Sequence, residues 1–455
     1  MLGRVLVVVL ALGLAGPLLH AADDPRIAEL ERQVRELRQE VEALKKSGQA
    51  GDTTELQRKI DVLTQEIENL KLGEAAPTAK AEEGGKHGLG PAASKVYAVK
   101  QGVSIGGYGE FLYQNFDNSL EDGTPSGETD TADLERLVLY TGYKFNDKIL
   151  FNSEIEYEHA TTGEGDEEKG EVSVEFAYLD FLFGKRMGVR TGLVLVPVGF
   201  LNELHEPPIF LGTQRPLVET EILPSTWREL GAGVFGETGP LTWRAYVTTS
   251  LDSTGFTAEN IREGRSGGSQ AKAEDFALTG RVDWTPLWTP AGSVLVGASF
   301  FTGKTGQGAG FNGGFNLWDV HAEYRWRALQ TRALYAQTTI GDVAAINAQN
   351  GLAGAESVGE DQYGWYGEVG YDVLATRSSQ SLIPFVRYER WNTQDQVPQS
   401  PPGFAADPAN DRTRTTVGVN WKPIPNVVVK ADWNKGENEA RTGVDQFNVG
   451  LGFLF

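Results

Sequence analysis

"DQFNVGLGFLF", residues 445–455, sets apolar side chains at Phe447, Val449, Leu451, Phe453 and Phe455, with Asn448, Gly450 and Gly452 between them. Strict period-2 alternation means that one face of an extended ribbon meets an apolar medium and the other does not. At the free end of a soluble sheet such a ribbon would be an aggregating edge. Whether the apolar medium is a protein core or lipid therefore decides the fold.

Working back from the terminus, the same alternation recurs. From about residue 103 onward there are sixteen runs, among them "VSIGGYGEFLYQNF", "LERLVLYTGYKF", "GEVSVEFAYLDFLF" and "FNLWDVHAEYRW". Each is near the ~9–11 residues that a tilted membrane-spanning strand needs. Connections after the second, fourth, sixth, tenth and fourteenth runs are short ("ND", "GKR", "TG", "RA", "IP"). Those after odd runs tend to be long, polar and Gly-rich, such as "DNSLEDGTPSGETDTAD" and "NTQDQVPQSPPGFAADPAND". Loop lengths sorted by parity describe a meander with tight turns at one end and long loops at the other, the layout of an outer-membrane barrel. Face chemistry agrees: Trp318, Val320, Ala322, Tyr324 and Trp326 alternate with Asp319, His321, Glu323 and Arg325. Trp284, Trp326, Trp391, Trp421 and Trp433 stand near run ends, where interfacial girdles belong. The expected fold is all-β: a 16-stranded antiparallel transmembrane barrel over residues 100–455, its terminal ribbon facing lipid.

The N-terminal fifth is different material. "MLGRVLVVVLALGLAGPLLHAA", residues 1–22, has one early Arg4, a short apolar run, a Gly16-Pro17 break and Ala21-Ala22, the pattern of a secretory signal peptide. Residues 25–72 carry heptads: Ile27, Leu30, Val34, Leu37, Val41 and Leu44, then Leu56, Ile60, Leu63, Ile67 and Leu70. They predict a short α-helical coiled coil, whose β-branched a and Leu d positions favour two strands. Residues 73–99, rich in Ala, Gly, Pro and charge, read as a flexible linker. An even strand number leaves both barrel ends on the short-turn side, which places the coiled coil in the periplasm. Net charge is −21, which argues against a nucleic-acid partner, and the absence of Cys removes disulfides and Cys metal sites.

Candidate functional residues fall in two sets. The connection 197–226, "PVGFLNELHEPPIFLGTQRPLVETEILPST", is long and unusually apolar. A loop of that kind is expected to fold inward, presenting Glu203, Glu206, Arg215, Glu219 and Glu221 as a pore constriction. Alternation also turns Arg136, Arg244, Arg281, Arg325, Arg387, Arg412 and Arg414 inward, with Glu154, Glu156 and Glu175, as pore lining. Rings of one charge select ions, and opposed rows orient polar solutes, while many such charges simply pair and stiffen the wall. Catalytic, metal and cofactor sites are not expected: His321 has carboxylates nearby in "WDVHAEY" but no compelling Ser partner on the flanking runs.

Signal, heptads, linker, the opening strand "SIGGYGEFLYQ", the "GLVLVPVGFLNE" lead into the third long loop and the terminal Phe together resemble the phosphate-selective porin O/P family. The resemblance implies a sixteen-stranded homotrimeric channel in outer-membrane lipid, inserted by the barrel-assembly machinery that reads the terminal aromatic. Members that select phosphate use a run of lumenal Arg and Lys at the constriction. Residues 197–226 hold instead no Lys, the single Arg215 and four glutamates, so phosphate selectivity is not carried over. The expected function is passive diffusion of small polar solutes or ions. The alternatives are an oligosaccharide-specific channel and a structural tether whose coiled coil engages the cell wall.

Overall fold

Alternation over ten or so residues, punctuated by Gly, Pro, Asn and Asp, gives strands joined as β-hairpins, and sixteen strands in succession close on themselves. The computed structural model describes residues 29, 32–37, 39, 86–162, 170–184, 186–289, 291–375 and 377–455. The first strands are β1 (Gly102–Leu120), β2 (Thr131–Lys144), β3 (Ile149–Glu158) and β4 (Val172–Leu182). There follow β5 (Met187–Leu195), β6 (Arg228–Thr238), β7 (Leu241–Thr249) and β8 (Phe276–Thr289). The second half holds β9 (Gly292–Lys304), β10 (Gly314–Trp326), β11 (Leu329–Ile340) and β12 (Asp361–Tyr371). The chain ends with β13 (Ser381–Gln396), β14 (Asp411–Ile424), β15 (Val427–Asn438) and β16 (Val444–Leu454). Every strand pairs antiparallel with its sequence neighbours, and β1 pairs with β16 in the register Tyr108↔Leu454, so the sheet is a closed sixteen-stranded barrel. Closure matters because a sheet with no free edge satisfies its backbone polar groups internally, the condition for strands in hydrocarbon.

Side chains sort by face as alternation requires. Val417, Trp421, Val449, Leu451 and Phe447 are exposed on the outside, while Asn420, Asn448 and Gln446 on the same strands are buried inside. Two bulges shift this sorting. Pairing of β1 with β2 skips Glu135, and pairing of β3 with β4 skips Glu175. A bulge places two successive residues against one partner, so Glu175 and Phe176 are both buried, and Tyr178 and Asp180 follow on the inner face. Strict alternation read through Glu175 would have turned them to lipid. Trp391 is a correction: it shares the inward phase of Arg387 and Glu389 and packs in the lumen against the apolar cluster of Val218 and Ile222, so it is no girdle residue.

Two chain segments occupy the interior. Residues 196–227 turn into the barrel, where Phe200, Leu201, Val218, Ile222 and Trp227 join inward Phe301, Phe315, Leu317 and Leu334 in one apolar cluster. The second is Lys86–Tyr97, two short 3-10 turns in which Leu89, Ala92, Ala93, Val96 and Tyr97 are buried against Tyr108, Val138, Leu150 and Phe176. This corrects the expected linker: from residue 86 onward it is packed, because its apolar side chains alternate with Gly and Ala small enough to lie against the wall. The inward Gly142 makes room for it, since a Cβ there would stand 2.7 Å from Val96 Cγ2.

Contacts divide the chain into two units, residues 1–77 and 78–455. In the first, residues 29, 32–37 and 39 are helical, with Arg32 paired to Glu29 and to Glu36, each at 2.6 Å. The signal peptide and nearly all of the expected coiled coil lie outside the described residues. Among those described, no helix is long and apolar enough to cross a membrane. A charge placed on the outer face tests the lipid assignment. Val417→Arg is expected to lower the free energy of unfolding in bilayers by about 2–4 kcal/mol if Val417 lies near the midplane, read from urea titrations followed by Trp fluorescence.

Candidate functional site

The lumen is where the charged face converges, and its geometry is set by how inward charges pair. Most pore-lining residues find partners on the wall. Arg387 lies 2.9 Å from Glu389 and 3.3 Å from Glu368, and its Nη1 and Nη2 donate to the carbonyls of Leu211 (3.0 Å) and Gln214 (3.2 Å). Arg244 meets Glu203 at 2.8 Å and Asp283 at 3.4 Å. Arg281 pairs with Asp283 at 2.8 Å and donates to the Gly199 carbonyl. Arg136 lies 3.5 Å from Glu110 and 3.7 Å from Glu156, and Glu175 pairs with Arg228. Arg325 sits at the short-turn rim beside Glu323, at 2.8 Å. Arg412 donates to the Ala409 carbonyl and Asn410, and Arg414 to Gln214 Oε1 at 3.0 Å.

The inner loop is therefore stitched to wall residues from many strands. Thr213 N–H donates to Asp432 at 2.5 Å, Asn420 Nδ2 to the Phe210 carbonyl at 3.3 Å, and Tyr366 Oη to Glu219 at 2.6 Å. Gly199 N–H donates to Asp319 at 3.0 Å. The next connection, 250–275, clamps the loop from its other side: Arg265 Nη1 donates to the carbonyls of Pro224 and Thr226, and Arg262 to that of Ser225.

Of the five residues expected at a constriction, three are absorbed by this stitching. Glu203 and Glu219 are paired as above, and Glu206 accepts the N–H groups of Ala92 (3.0 Å) and Ala93 (3.1 Å) from the inner segment. Their carboxylates face protein because the loop lies against the wall, where fixed charge draws in fixed countercharge. Arg215 and Glu221 remain less engaged. Arg215 keeps one nitrogen, Nη2, without a hydrogen-bond partner, within electrostatic reach of Glu154, Glu156 and Arg262. Glu221 is half-buried within reach of Arg412, Arg262 and Arg414. Acids on β3 and β4 thus look across Arg215 toward the Glu221, Arg412 and Arg414 group.

Residues that alternation alone did not single out complete the lumen. Tyr97, Asp180 and Arg190 form a buried triad: Tyr97 Oη donates to Asp180 at 2.5 Å and accepts from Arg190 at 2.9 Å. The signal was present in "MGVRTGLV", where Arg190 interrupts an apolar run. Lys430 is fully buried on β15 with its Nζ 3.6 Å from the Phe210 ring centre. His321 faces Asp319 and Asp283 at 2.6 and 2.9 Å. Ser299, on the flanking β9, bonds Asp319 rather than His321, so the order that a nucleophilic serine needs, hydroxyl to imidazole to carboxylate, is not formed there.

Burial sets two loop groups apart. It holds His205 down at about 4, helped by Arg215, and lifts Glu206 to about 8. His205, lowered in the fold, stabilises above pH 6.5 and loses that contribution as pH falls toward 4. Glu206, raised in the fold, stabilises fully below pH 4.5, and its contribution fades as pH rises through about 8. Of these two groups only Glu206 changes between pH 6.5 and 8, and it takes ~2 kcal/mol from the unfolding free energy across that interval. Glu206→Gln should make the pH dependence there shallower by that amount, as read from urea midpoints of the two proteins side by side.

No family model matches the chain. A protein of Aquifex aeolicus (strain VF5) described as uncharacterized is 36% identical over 378 residues, covering 81% of this chain and 83% of that protein. Among solved structures, Salmonella typhi OmpF in complex with daunomycin superposes with a TM-score of 0.52 at 12% identity, over 78% of this chain and 98% of that one. The outer membrane channel DcaP of Acinetobacter baumannii gives a TM-score of 0.48 at 12% identity, over 78% and 97%. The OmpF superposition bears on the fold, which is that of a sixteen-stranded outer-membrane porin barrel. By sequence, the chain belongs to the same family as the Aquifex aeolicus protein.

Proposed function

We propose that this protein is an outer-membrane channel for passive diffusion of small polar solutes or ions, with the connection 196–227 as its constriction. The observation that carries the reading is the pairing of an apolar outer belt with a charged inner wall on a closed barrel. A plain anchor has no need to place Arg136, Arg244, Arg281 and Arg387 and their carboxylates on the inside, since an apolar interior of the same volume would be no less stable. Solutes would pass beside the Glu221, Arg412 and Arg414 group, where partly exposed charges stand. The channel would sit in the outer membrane as a homotrimer, inserted by the barrel-assembly machinery, with residues 25–72 as a periplasmic coiled coil able to engage the cell wall.

A filter of one acid and two arginines carries a single net positive charge, which favours anions only weakly, and phosphate specificity is not part of the reading. Planar-bilayer recordings in a salt gradient test it. Glu221→Gln should shift the reversal potential toward anion permeability and Arg414→Gln toward cation permeability, each changing the permeability ratio by about twofold. No shift from either would remove both residues from the filter. A barrel that carries no current in any salt would leave the tether as the better account.

A further inference from the structure

The segment Lys86–Tyr97 lies inside the barrel yet belongs to no strand, and its anchorage is of an unusual kind. Beyond the hydrogen bonds of its own turns, its backbone is tied to the barrel by side chains of other elements. Glu206 of the inner loop accepts its two N–H groups, and Asn152 Nδ2 donates to the Ala93 carbonyl at 2.9 Å. Its last side chain, Tyr97, completes the Asp180–Arg190 pair.

The surfaces meeting there are ill-matched for a permanent core. His87 Nδ1, Glu203 Oε1, Glu206 Oε2 and Tyr246 Oη are buried around the segment without a hydrogen-bond partner among the described residues. Each such atom works against docking, while the apolar side chains Leu89, Val96 and Tyr97 work for it. Much of the wall behind the segment, Asn152, Asp180, Arg190 and Arg244, is polar or charged and could accept water as readily as protein. A segment whose docked state is offset by unpaired polar groups, and whose vacated site can be hydrated, suits reversible occupancy.

We propose that Lys86–Tyr97 is a displaceable plug, docked in the short-turn half of the lumen and latched to the inner loop through Glu206, so that its withdrawal widens the conducting path. The proposal rests on the channel reading above and adds a moving part to it. Position supports it: the Tyr97 carbonyl accepts from Lys144, at the start of the β2–β3 turn, so the segment lies between the inner loop and that rim.

The absence of native cysteine allows a clean test. Val96→Cys and Ala336→Cys replace side chains that are 1% and 0% exposed, one on the segment and one on β11 in the other apolar cluster, which the segment does not cover. In the folded barrel, maleimide should label Val96→Cys at least about tenfold faster than Ala336→Cys. Adding Glu206→Ala, which removes the acceptor of both N–H groups, should raise that rate further. Should Glu206→Ala not fold, Lys144→Ala or Asn152→Ala in the same background serves as the loosening change. Equal labelling of the two cysteines would make the segment a fixed part of the wall and overturn the plug.

Conductance provides the second arm. A Cβ built on Gly142 lies 2.8 Å from Val96 Cβ, so a small shift reaches disulfide spacing. Oxidised Val96→Cys/Gly142→Cys should pass less current than the same barrel after reduction. Equal, non-zero currents before and after reduction would overturn the plug as a gate. A labelled, mobile segment in a barrel that conducts under neither condition would keep the plug and remove the channel reading.

Discussion

Closure of β1 onto β16 is the constraint on which everything else in this molecule depends. Tyr108 opposite Leu454 completes a ring of backbone hydrogen bonds with no free edge. Without it the outer face would still be apolar, but unpaired N–H and C=O groups would lie at hydrocarbon depth, each costing several kcal/mol. With it, the sheet has one face for lipid and one for whatever the inner charges require. The C-terminal ribbon ends on Phe455, whose N–H and carbonyl both bond Gly107, so the last residue is part of the closing seam.

Once the cylinder is closed, its interior must be filled or wetted. Here much of it is filled by two irregular segments, and the chemistry of that filling is ionic rather than purely apolar. One half, around Trp227, Phe301 and Phe315, resembles a small hydrophobic core. The other half is organised by paired charges, Arg387 with Glu389 and Glu368, Arg190 with Asp180, and Arg244 with Glu203. A charge already bonded to protein contributes little field to the bore, so the effective filter is smaller than the inventory of inward charges suggests. On the proposed channel reading it would contract to Glu221, Arg412 and Arg414, which are only partly buried.

The inner loop and the inner segment are not independent. Glu206 belongs to the first and holds the second, while Glu203, three residues earlier in the loop, ties to Arg244 beside the same segment. A carboxylate lifted to about 8 by burial and left with one unpartnered oxygen is a costly way to join two pieces of chain. Such costs persist where a contact is meant to be made and broken, or where a buried polar group specifies one docking geometry among several.

Sequence alone determined the strands, their number, most of their faces and the parity of the connections, because period-2 alternation and turn residues are local signals that need no partner to be read. It also determined that residues 197–226 were too apolar for a solvent loop. What only the tertiary structure decided is where charges end up. Glu203, Glu206 and Glu219 were legible as inward loop acids, yet their partners, Arg244, the Ala92–Ala93 backbone and Tyr366, come from chain positions that only closure brings near. The bulges at Glu135 and Glu175 shifted phase within a strand, which turned Tyr178 and Asp180 inward against the simple count. The packed segment Lys86–Tyr97 was illegible for the same reason: a stretch of Ala, Gly and Lys has no periodicity of its own, and only a lumen with glycine-lined room and buried acceptors gives it a fixed shape.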